Sequence, residues 1–318
     1  MKTINSGSKD TRSGFGAGLL EVGKRDPNVV ALCADLIGSL KMDAFALAFP
    51  ERFFQCGIAE ANMMGVAAGL AITGKVPFVG TFANFATGRV YDQIRQSIAY
   101  SFTNVKIAAS HAGITLGEDG ATHQTMEDIG LMRMLPNIVV LNPCDYNQTK
   151  MATLAAAAWR GPVYLRFGRP SVPNFTDPDM PFEIGKGLLL REGSDISIFA
   201  TGHLVWEALL AADELAQSGI SAEVINIHTI KPLDAKAILA SVAKTRAVVT
   251  AEEHVIAGGL GEAIAALLAH ELPTLQSFIA VNDQFGQSGK PNELLKVYGL
   301  DAKHMVESSY QLLLQKHE

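Results

Sequence analysis

The sequence predicts an α/β protein made of two domains, each built on a parallel β-sheet. Short apolar segments, typical of strands buried on both faces, alternate with helical patterns along the whole chain. The chain has 318 residues, which is enough for two domains. A stretch with three prolines and two aspartates, residues 172–181, is typical of a linker. We therefore place a first domain at residues 1–172, a linker at 173–185 and a second domain at 186–318.

The spacing of apolar residues and the turn residues between them define the elements of the first half. In chain order they are helix Thr11–Lys24, strand Asn28–Cys33, strand Phe53–Cys56, a helix from Glu60 to Ala71, strand Val76–Gly80, helix Gly88–Phe102, strand Val105–Ser110, helix Met126–Leu135, strand Ile138–Leu141, helix Asp145–Trp159 and strand Val163–Phe167.

The second half repeats the alternation on a smaller scale. Its predicted elements are strand Asp195–Ala200, helix His203–Ser218, strand Ala222–Ile227, helix Leu233–Lys244, strand Ala247–Ala251, helix Gly259–Ala269, strand Leu275–Val281 and helices from Asn292 and Ala302. The GGLG segment that opens the helix at Gly259 lacks the spacing of a phosphate-binding loop, and we interpret its glycines as close helix–strand packing.

Composition narrows the class of protein. Hydrophobic residues make up 48% and charged residues 18% of the chain, which favours buried subunit contacts. A net charge of −6 without a basic face disfavours nucleic acid as a partner. No apolar run reaches the roughly 20 residues of a membrane span, and the polar start lacks a secretory segment. The three cysteines have no metal-site spacing and fit a reducing compartment, so we expect a cytoplasmic protein.

Glu60 is the first candidate functional residue. It opens a helix of small and apolar residues in which no charge follows until Lys75. Such a helix is expected to be buried on nearly all faces, in a core or a subunit contact. An acid there is costly without a partner, which favours a functional role. A first-turn glutamate that merely favours the helix dipole is an equally simple interpretation.

A glycine-rich connection, HAGITLGEDGATH, follows the strand that ends at Ser110. His111 and His123 could hydrogen-bond hydroxyl groups or exchange protons near neutral pH. The alternative is a solvated loop whose His123 or Thr122 caps the next helix. His111, Asp119 and His123 match no common zinc spacing, so we predict no metal site in this chain.

Two further pairs follow strand ends. Phe82 and Phe85 are either core residues or a wall for a flat aromatic ring. Arg166 and Arg169 bind phosphate or form ordinary ion pairs.

These segments together resemble the C-terminal half of transketolase. The resemblance is carried by FFQCGIAEANMMGVAAGLA, PFVGTFANF, SHAGITLGEDGATHQTMEDIGLMRMLPNIVVLNPCD and GPVYLRFGRP, then by INIHTIKPLD, EEHVIAGGLGEAIAALL and DQFGQSG. It covers nearly the whole chain, in the family's order. The GEDGATHQ loop is unlike that of pyruvate-dehydrogenase-type beta subunits and nearer to that of deoxyxylulose-phosphate synthase.

The resemblance implies thiamine diphosphate as cofactor and assigns roles by position. Glu60 matches the catalytic glutamate that hydrogen-bonds the aminopyrimidine ring and so helps form the cofactor carbanion. Phe82 and Phe85 match the pyrimidine pocket, and Asp35 an acid beside the cofactor. The substrate-binding matches, of which the two histidines are also catalytic, are Arg12, Ser39, His111, Asp119, His123 and Arg169.

The sequence departs from the family pattern in three places. A tyrosine expected three residues after Phe85 is Gly88, which puts that part of the pocket in doubt. Arg89 and Arg166 are charges that the pattern does not contain, and we expect them to alter substrate reach.

The family's diphosphate-binding domain, with its GDG motif and downstream Asn, has no match in the chain. The resemblance therefore implies a pyrimidine-binding subunit of a split transketolase, with Mg²⁺ and the diphosphate held by an N-terminal partner subunit in an α2β2 assembly. The implied reaction transfers a glycolaldehyde unit between sugar phosphates. The alternatives are a subunit specialised for a branched or sulfonated sugar phosphate, a deoxyxylulose-phosphate-synthase-like subunit and a non-catalytic subunit.

Overall fold

The chain folds around two β-sheets, which a computed structural model describes for residues 6–316. The larger sheet has seven strands in the order β12-β6-β7-β5-β4-β2-β3. Its strands are β2 Val29–Cys33, β3 Phe53–Gln55, β4 Val76–Phe82, β5 Lys106–Ser110, β6 Val139–Leu141, β7 Val163–Arg166 and β12 Thr229–Lys231. All neighbours are parallel except β12, which pairs antiparallel with β6. The predicted fold class is confirmed.

Helices cover both faces of this sheet. Alternate side chains of a strand point to opposite faces, and here the side chains on both faces are apolar and need to be buried. Val29 and Ala31 of β2 join the core under α1 and α7, whereas Val30 and Leu32 join the core under α3. The helical segments of the first half are α1 Thr11–Arg25, α2 Asp43–Ala48, the 3₁₀ turn Pro50–Arg52, α3 Glu60–Ile72, α4 Ala83–Thr87, α5 Tyr91–Gln93, the π-helix Ile94–Tyr100, the 3₁₀ turn Ile114–Leu116, α6 Asp128–Met134 and α7 Tyr146–Ala158.

Glycines let α1 lie directly against α7. A Cβ atom at Gly14 would lie 2.4 Å from the carbonyl oxygen of Tyr146, and one at Gly18 would lie 2.7 Å from Cβ of Thr153. The N-terminus of α1 is capped by Asp10, whose carboxylate accepts a hydrogen bond from the amide of Ser13.

The second sheet has five strands in the order β14-β13-β10-β11-β9. Its strands are β9 Leu188–Arg191, β10 Ile196–Ala200, β11 Ala222–Asn226, β13 Ala247–Val255 and β14 Leu275–Val281, and its helices are α8 Leu204–Gln217, α9 Ala235–Thr245, α10 Leu260–Glu271, α11 Pro291–Val297 and α12 Ala302–Lys316. Gly261 packs closely on the sheet, since a Cβ there would lie 2.5 Å from the Phe278 ring. The close-packing interpretation of GGLG is therefore confirmed.

The structure differs from the predicted elements in several places, and three of them bear on the architecture. A short antiparallel ribbon, β1 Ser8–Asp10 with β8 Ser171–Pro173, ties the start of the chain to the predicted linker. Strand β12 comes from the second half yet joins the first sheet. The helix predicted at Gly88–Phe102 is confirmed in part: residues 88–90 form a turn, and the helical segment runs from Tyr91 to Tyr100 as α5 and the π-helix.

Buried ionic groups lie where the two halves meet. Arg166, at the end of β7, donates from Nε to Asp128 Oδ2 at 2.8 Å and from Nη2 to the carbonyl of Glu253 at 2.8 Å. Tyr164 donates to the same Asp128 oxygen at 2.7 Å. The Arg166 and Asp128 side chains are 3% and 0% exposed. The prediction that Arg166 alters substrate reach is therefore wrong, because its guanidinium is buried and already bonded to Asp128 and Glu253.

The second half supplies other groups to this contact. Glu253 accepts a hydrogen bond from the amide of Thr115 at 2.5 Å, and His254 Nε2 accepts one from the amide of Gly130 at 3.2 Å. Burial lowers the pKa of His254 to about 4, so the ring is neutral and free to accept. Within residues 6–316, no helix combines the length and apolar character that crossing a bilayer requires.

We expect Arg166→Met to lower the free energy of unfolding by about 3–5 kcal/mol, because it leaves the carboxylate of Asp128 buried without its counter-ion. Urea titration at pH 7 measures this. Arg191→Met is the matched control, since its ion pair with Asp213 lies on the surface and is worth about 0–1 kcal/mol. Equal losses in the two variants would contradict the assignment.

Candidate active site

Glu60 begins α3 directly after β3 and the turn through Gly57. Its side chain is 3% exposed, and both carboxylate oxygens accept hydrogen bonds from Nη1 of Arg89 at 3.0 Å. The buried acid therefore has a cationic partner, and a simple helix-dipole role does not account for this contact.

The helix that Glu60 opens is half buried rather than enclosed. One face packs on the sheet through residues such as Met63 and Met64, while the other is exposed. The exposed positions of that face, which we call the α3 outer face, are Ala61, Asn62, Gly65, Val66 and Gly69. The expectation of burial on nearly all faces is wrong for the single chain, and the subunit-contact alternative stays open.

Aromatic rings form a wall beside Glu60. The Phe82 and Phe85 rings stack with centroids 6.0 Å apart, and the His111 ring stacks on Phe82 at 3.8 Å. The His123 ring meets Phe85 edge-on at 5.5 Å, and the Arg89 guanidinium lies 4.3 Å from the Phe85 centroid. The structure thus brings both predicted phenylalanines and both predicted histidines into one cluster, which excludes core packing alone as the role of Phe85.

The glycine-rich loop is held by backbone conformation and by hydrogen bonds. His111 has φ +57° and Gly113 φ +86°, and a Cβ at Gly113 would lie 2.3 Å from a carboxylate oxygen of Glu253. Gln124 donates from Nε2 to the carbonyls of Ile114 and Gly117. It also donates to Gln287, in the second half of the chain.

The second half comes close to Gln124 at a further point. A Cβ at Gly286 would lie 1.9 Å from Gln124 Oε1. This segment therefore lies directly against the glycine-rich loop.

The capping alternative for this loop is wrong. Glu127 is the N-cap residue of α6, and His123 instead contacts the Thr122 hydroxyl through Nδ1 at 3.0 Å. His111 Nδ1 likewise contacts the Ser110 hydroxyl at 2.7 Å.

Two arginines lie close enough to His111 to act on it electrostatically. Burial, then the charges of Arg12 and Arg169, lower the pKa of His111 to about 3. Arg12 donates to the Ser39 carbonyl at 3.1 Å, and Arg169 donates to the Leu116 carbonyl at 2.7 Å and pairs with Glu118 at 3.0 Å. The predicted substrate residues Arg12 and Arg169 therefore lie near His111 and near each other, and Ser39 is in contact with Arg12.

Asp35 and Asp119 are less constrained. Both are exposed. Asp35 has φ +59°, and its amide donates to Gln55 at 2.7 Å, which fixes its backbone rather than its carboxylate. The structure leaves both acids free to face a ligand.

Sequence reasoning missed the contact between Arg89 and Glu60. No local spacing signals this contact, because the two residues are 29 positions apart in the chain. Within residues 6–316, no group of three or more His, Cys, Asp or Glu side chains could hold a metal ion.

Comparison with known proteins agrees with this arrangement. Residues 7–174 match the family of transketolase pyrimidine-binding domains, and residues 185–305 match that of transketolase C-terminal domains. The chain belongs to the transketolase family.

Individual relatives of this transketolase-family chain span its whole length. It is 49% identical to a chain named as a transketolase C-terminal section in Methanocaldococcus jannaschii, over 96% of this chain and 97% of that one. It is 44% identical to a 6-deoxy-6-sulfo-D-fructose transketolase subunit of a Clostridium species, over 94% and 93%.

A solved structure described as a split gene transketolase, inactive beta4 tetramer, superposes with a TM-score of 0.91. It is 48% identical and covers 96% of this chain and 98% of its own.

The transketolase family implies thiamine diphosphate, and the side chains present fit its pyrimidine ring. A buried carboxylate can bond a ring nitrogen, and the faces of Phe82 and Phe85 suit an offset stack. The geometry thus offers one hydrogen-bonding group and one flat surface, which is what an aminopyrimidine ring requires.

We expect His111 to make the chain less stable in acid. Its pKa is about 3 in the folded chain and about 6.5 unfolded, so the unfolded chain takes up the proton first. Its contribution is therefore present above about pH 6.5 and is lost as the pH falls toward 3. In His111→Gln, the slope of unfolding free energy against pH between 4 and 6 should decrease by about 1.4 kcal/mol per unit. Urea titrations over that range measure the slope, and an unchanged slope would contradict burial of a neutral ring.

Proposed function

We propose that this chain is the pyrimidine-binding subunit of a split transketolase. It would transfer a glycolaldehyde unit from a ketose phosphate to an aldose acceptor together with a separate diphosphate-binding subunit. The observation that carries this proposal is the buried Glu60 carboxylate beside the stacked rings of Phe82 and Phe85. The full-length match to chains named as transketolase subunits or sections supports it.

Each group of this chain has a distinct task in the proposed reaction. Thiamine diphosphate, when bound, supplies the nucleophilic carbon that carries the two-carbon unit. Glu60 shares a proton with the pyrimidine nitrogen, and its burial strengthens that bond by lowering the local dielectric. Phe82 and Phe85 orient the ring.

His111 acts as a hydrogen-bonding group rather than an acid at neutral pH. Its pKa of about 3 keeps the ring uncharged, and its contact with Ser110 fixes Nδ1. We propose that His111 and His123 hold hydroxyl groups of the sugar, and that Asp35 and Asp119 contact the cofactor side and the donor's hydroxyl groups.

Arg12 and Arg169, with Ser39, form the proposed site for the distal phosphate. Arg12 is partly buried and forms an ion pair with Asp10 through Nε at 3.3 Å. Arg169 pairs with the exposed Glu118. Guanidinium groups bind phosphate in a bidentate way, so an incoming phosphate can replace the Glu118 carboxylate.

The α3 outer face is the proposed contact with the diphosphate-binding subunit. Cβ atoms at Gly65 and Gly69 would meet nothing within 4 Å, and Val66 and the preceding Ile58 are 39% and 77% exposed. An apolar, flat face next to the catalytic acid suits a partner that brings the diphosphate and Mg²⁺ to the same place. An α2β2 assembly is the proposed form. A related split-gene chain is described as inactive when it assembles as beta4, which supports the need for a partner.

A second candidate substrate class is a sulfonated sugar. The observation that favours it is the 44% identity to a 6-deoxy-6-sulfo-D-fructose transketolase subunit. A sulfonate has the same tripod of oxygens as a phosphate, and Arg12 and Arg169 could bind either. The domain boundaries at residues 172 and 186 and a cytoplasmic location stay predictions.

Glu60→Gln should leave a complex that assembles but turns over about 10²–10⁴-fold more slowly, because proton control at the ring nitrogen is lost. The measurement is ketose-to-aldose transfer after mixing the chain with its diphosphate-binding partner, thiamine diphosphate and Mg²⁺. The chain alone should be inactive.

Glu51→Gln is the control for this experiment, since Glu51 is an exposed acid nine residues earlier in the chain. Wild-type turnover by Glu60→Gln, or full activity of the isolated chain, would overturn the proposed function.

Arg169→Met should raise KM for the charged sugar about tenfold or more while kcat changes little, because it removes a charge-assisted bond to the substrate's anionic end. Steady-state kinetics with a phosphorylated and a sulfonated ketose separates the two substrate classes by kcat/KM. Arg160→Met, an exposed arginine, is the control. A fall in kcat at constant KM would place Arg169 elsewhere in the mechanism.

A further inference from the structure

Arg89 makes the two contacts that the proposed function reserves for the pyrimidine ring. Its Nη1 bonds both oxygens of Glu60 at 3.0 Å, and its guanidinium lies over the face of Phe85 at 4.3 Å from the centroid. We call the Glu60 carboxylate and the exposed face of the Phe85 ring the pyrimidine seat.

The chemistry of the guanidinium explains why it fits this seat. Guanidinium is flat, stacks on aromatic faces and donates hydrogen bonds in its own plane. An aminopyrimidine is likewise flat and bonds a carboxylate at its edge. The two groups therefore compete for the same surfaces, because the Arg89 guanidinium already bonds both oxygens of Glu60 and lies over the Phe85 ring.

The Arg89 pair is also exchangeable, unlike the buried pair of Arg166 and Asp128. The Arg89 side chain is 48% exposed, whereas that of Arg166 is 3% exposed. Arg89 can thus move fully into solvent, where its charge is hydrated, and it loses only a partly exposed ion pair. Glu60 cannot move, because it is 3% exposed and fixed at the start of α3.

We propose that Arg89 occupies the pyrimidine seat in the cofactor-free chain and is displaced from Glu60 when the ring binds. This inference rests on the proposed function. It assigns Arg89 as a positioning residue that keeps the buried acid paired before loading, and it makes loading an exchange of one partner of Glu60 for another.

The exchange has a measurable consequence for cofactor affinity. A ligand that can bind only when a competing side chain has left has an apparent Kd equal to its intrinsic Kd divided by the fraction of molecules in which the pyrimidine seat is open. If Arg89 fills the seat about nine-tenths of the time, removing it should tighten cofactor binding about tenfold.

The test uses the assembled complex of this chain with its diphosphate-binding subunit, titrated calorimetrically with thiamine diphosphate and Mg²⁺. Arg89→Met should lower Kd about tenfold, since methionine keeps apolar contact with Phe85 but cannot bond Glu60. Arg89→Lys, which keeps the charge but cannot lie flat on the ring, should fall between the two. Arg95→Met, an exposed arginine on the adjoining π-helix, should match wild type.

Two further measurements exclude a merely structural role. The isolated Arg89→Met chain should melt below wild type, because Glu60 loses its only charged partner in the described residues, and the complex saturated with cofactor should recover most of that difference. In a Glu60→Gln background, Arg89→Met should change Kd less than about twofold, because the pair is already broken.

The outcomes separate this inference from the proposed function. A wild-type complex that does not bind thiamine diphosphate ends the proposed function and this inference with it. A complex that binds it with the same or weaker affinity in both Arg89 variants overturns this inference alone. If Arg89→Met does not assemble, Arg89→Lys decides by the same comparison of Kd.

Discussion

The buried side chain of Arg166, which pairs with Asp128 and also bonds the second half of the chain, is the interaction that joins the core of one half to the other. Two charges removed from water are tolerated only in a geometry that satisfies both of them, because their desolvation is costly. Here Arg166 divides its donors between Asp128 in the first half and the Glu253 carbonyl in the second. Arg166 therefore connects β7 to α6 through Asp128 and to β13 through Glu253.

The glycine-rich loop is held by contacts with the second half of the chain. It is bonded by Glu253 through the amide of Thr115, and Gln124 joins it to the carbonyl of Gln287. Loops that carry functional groups need a rigid support, since a displacement of about 1 Å is enough to weaken catalysis. The second half of the chain therefore serves as a scaffold for His111 and His123, although the cluster around Glu60 contains none of its side chains.

The sequence was sufficient for the strands that form the centre of each sheet. Val29–Cys33 and Ile196–Ala200 are unbroken apolar runs, and such runs have few alternatives to a buried parallel strand. It was insufficient for Thr229–Lys231, because three residues carry no periodicity and the pairing with β6 is a long-range event. For the helix predicted at Gly88–Phe102 it was sufficient only in part, because apolar spacing does not distinguish an α-helix from the π-helix that forms most of this segment.

The residues of the candidate site likewise divide into those that the sequence could predict and those that it could not. Glu60 and the phenylalanines were found because an isolated acid and paired aromatic residues stand out in a linear chain. The environment of Arg166 was not, because a buried arginine and a phosphate-binding arginine both follow a strand and differ only in distant partners. The contact between Arg89 and Glu60 joins residues 29 positions apart, and its distance was beyond any local pattern.

The close approach of Gly286 to Gln124 places part of the active-site geometry under the control of a distant stretch of the polypeptide. Any side chain at position 286 would push on the glutamine that shapes the loop, without touching a catalytic group. Natural or laboratory selection could therefore reshape the glycine-rich loop through residues that a search confined to the candidate site would never sample.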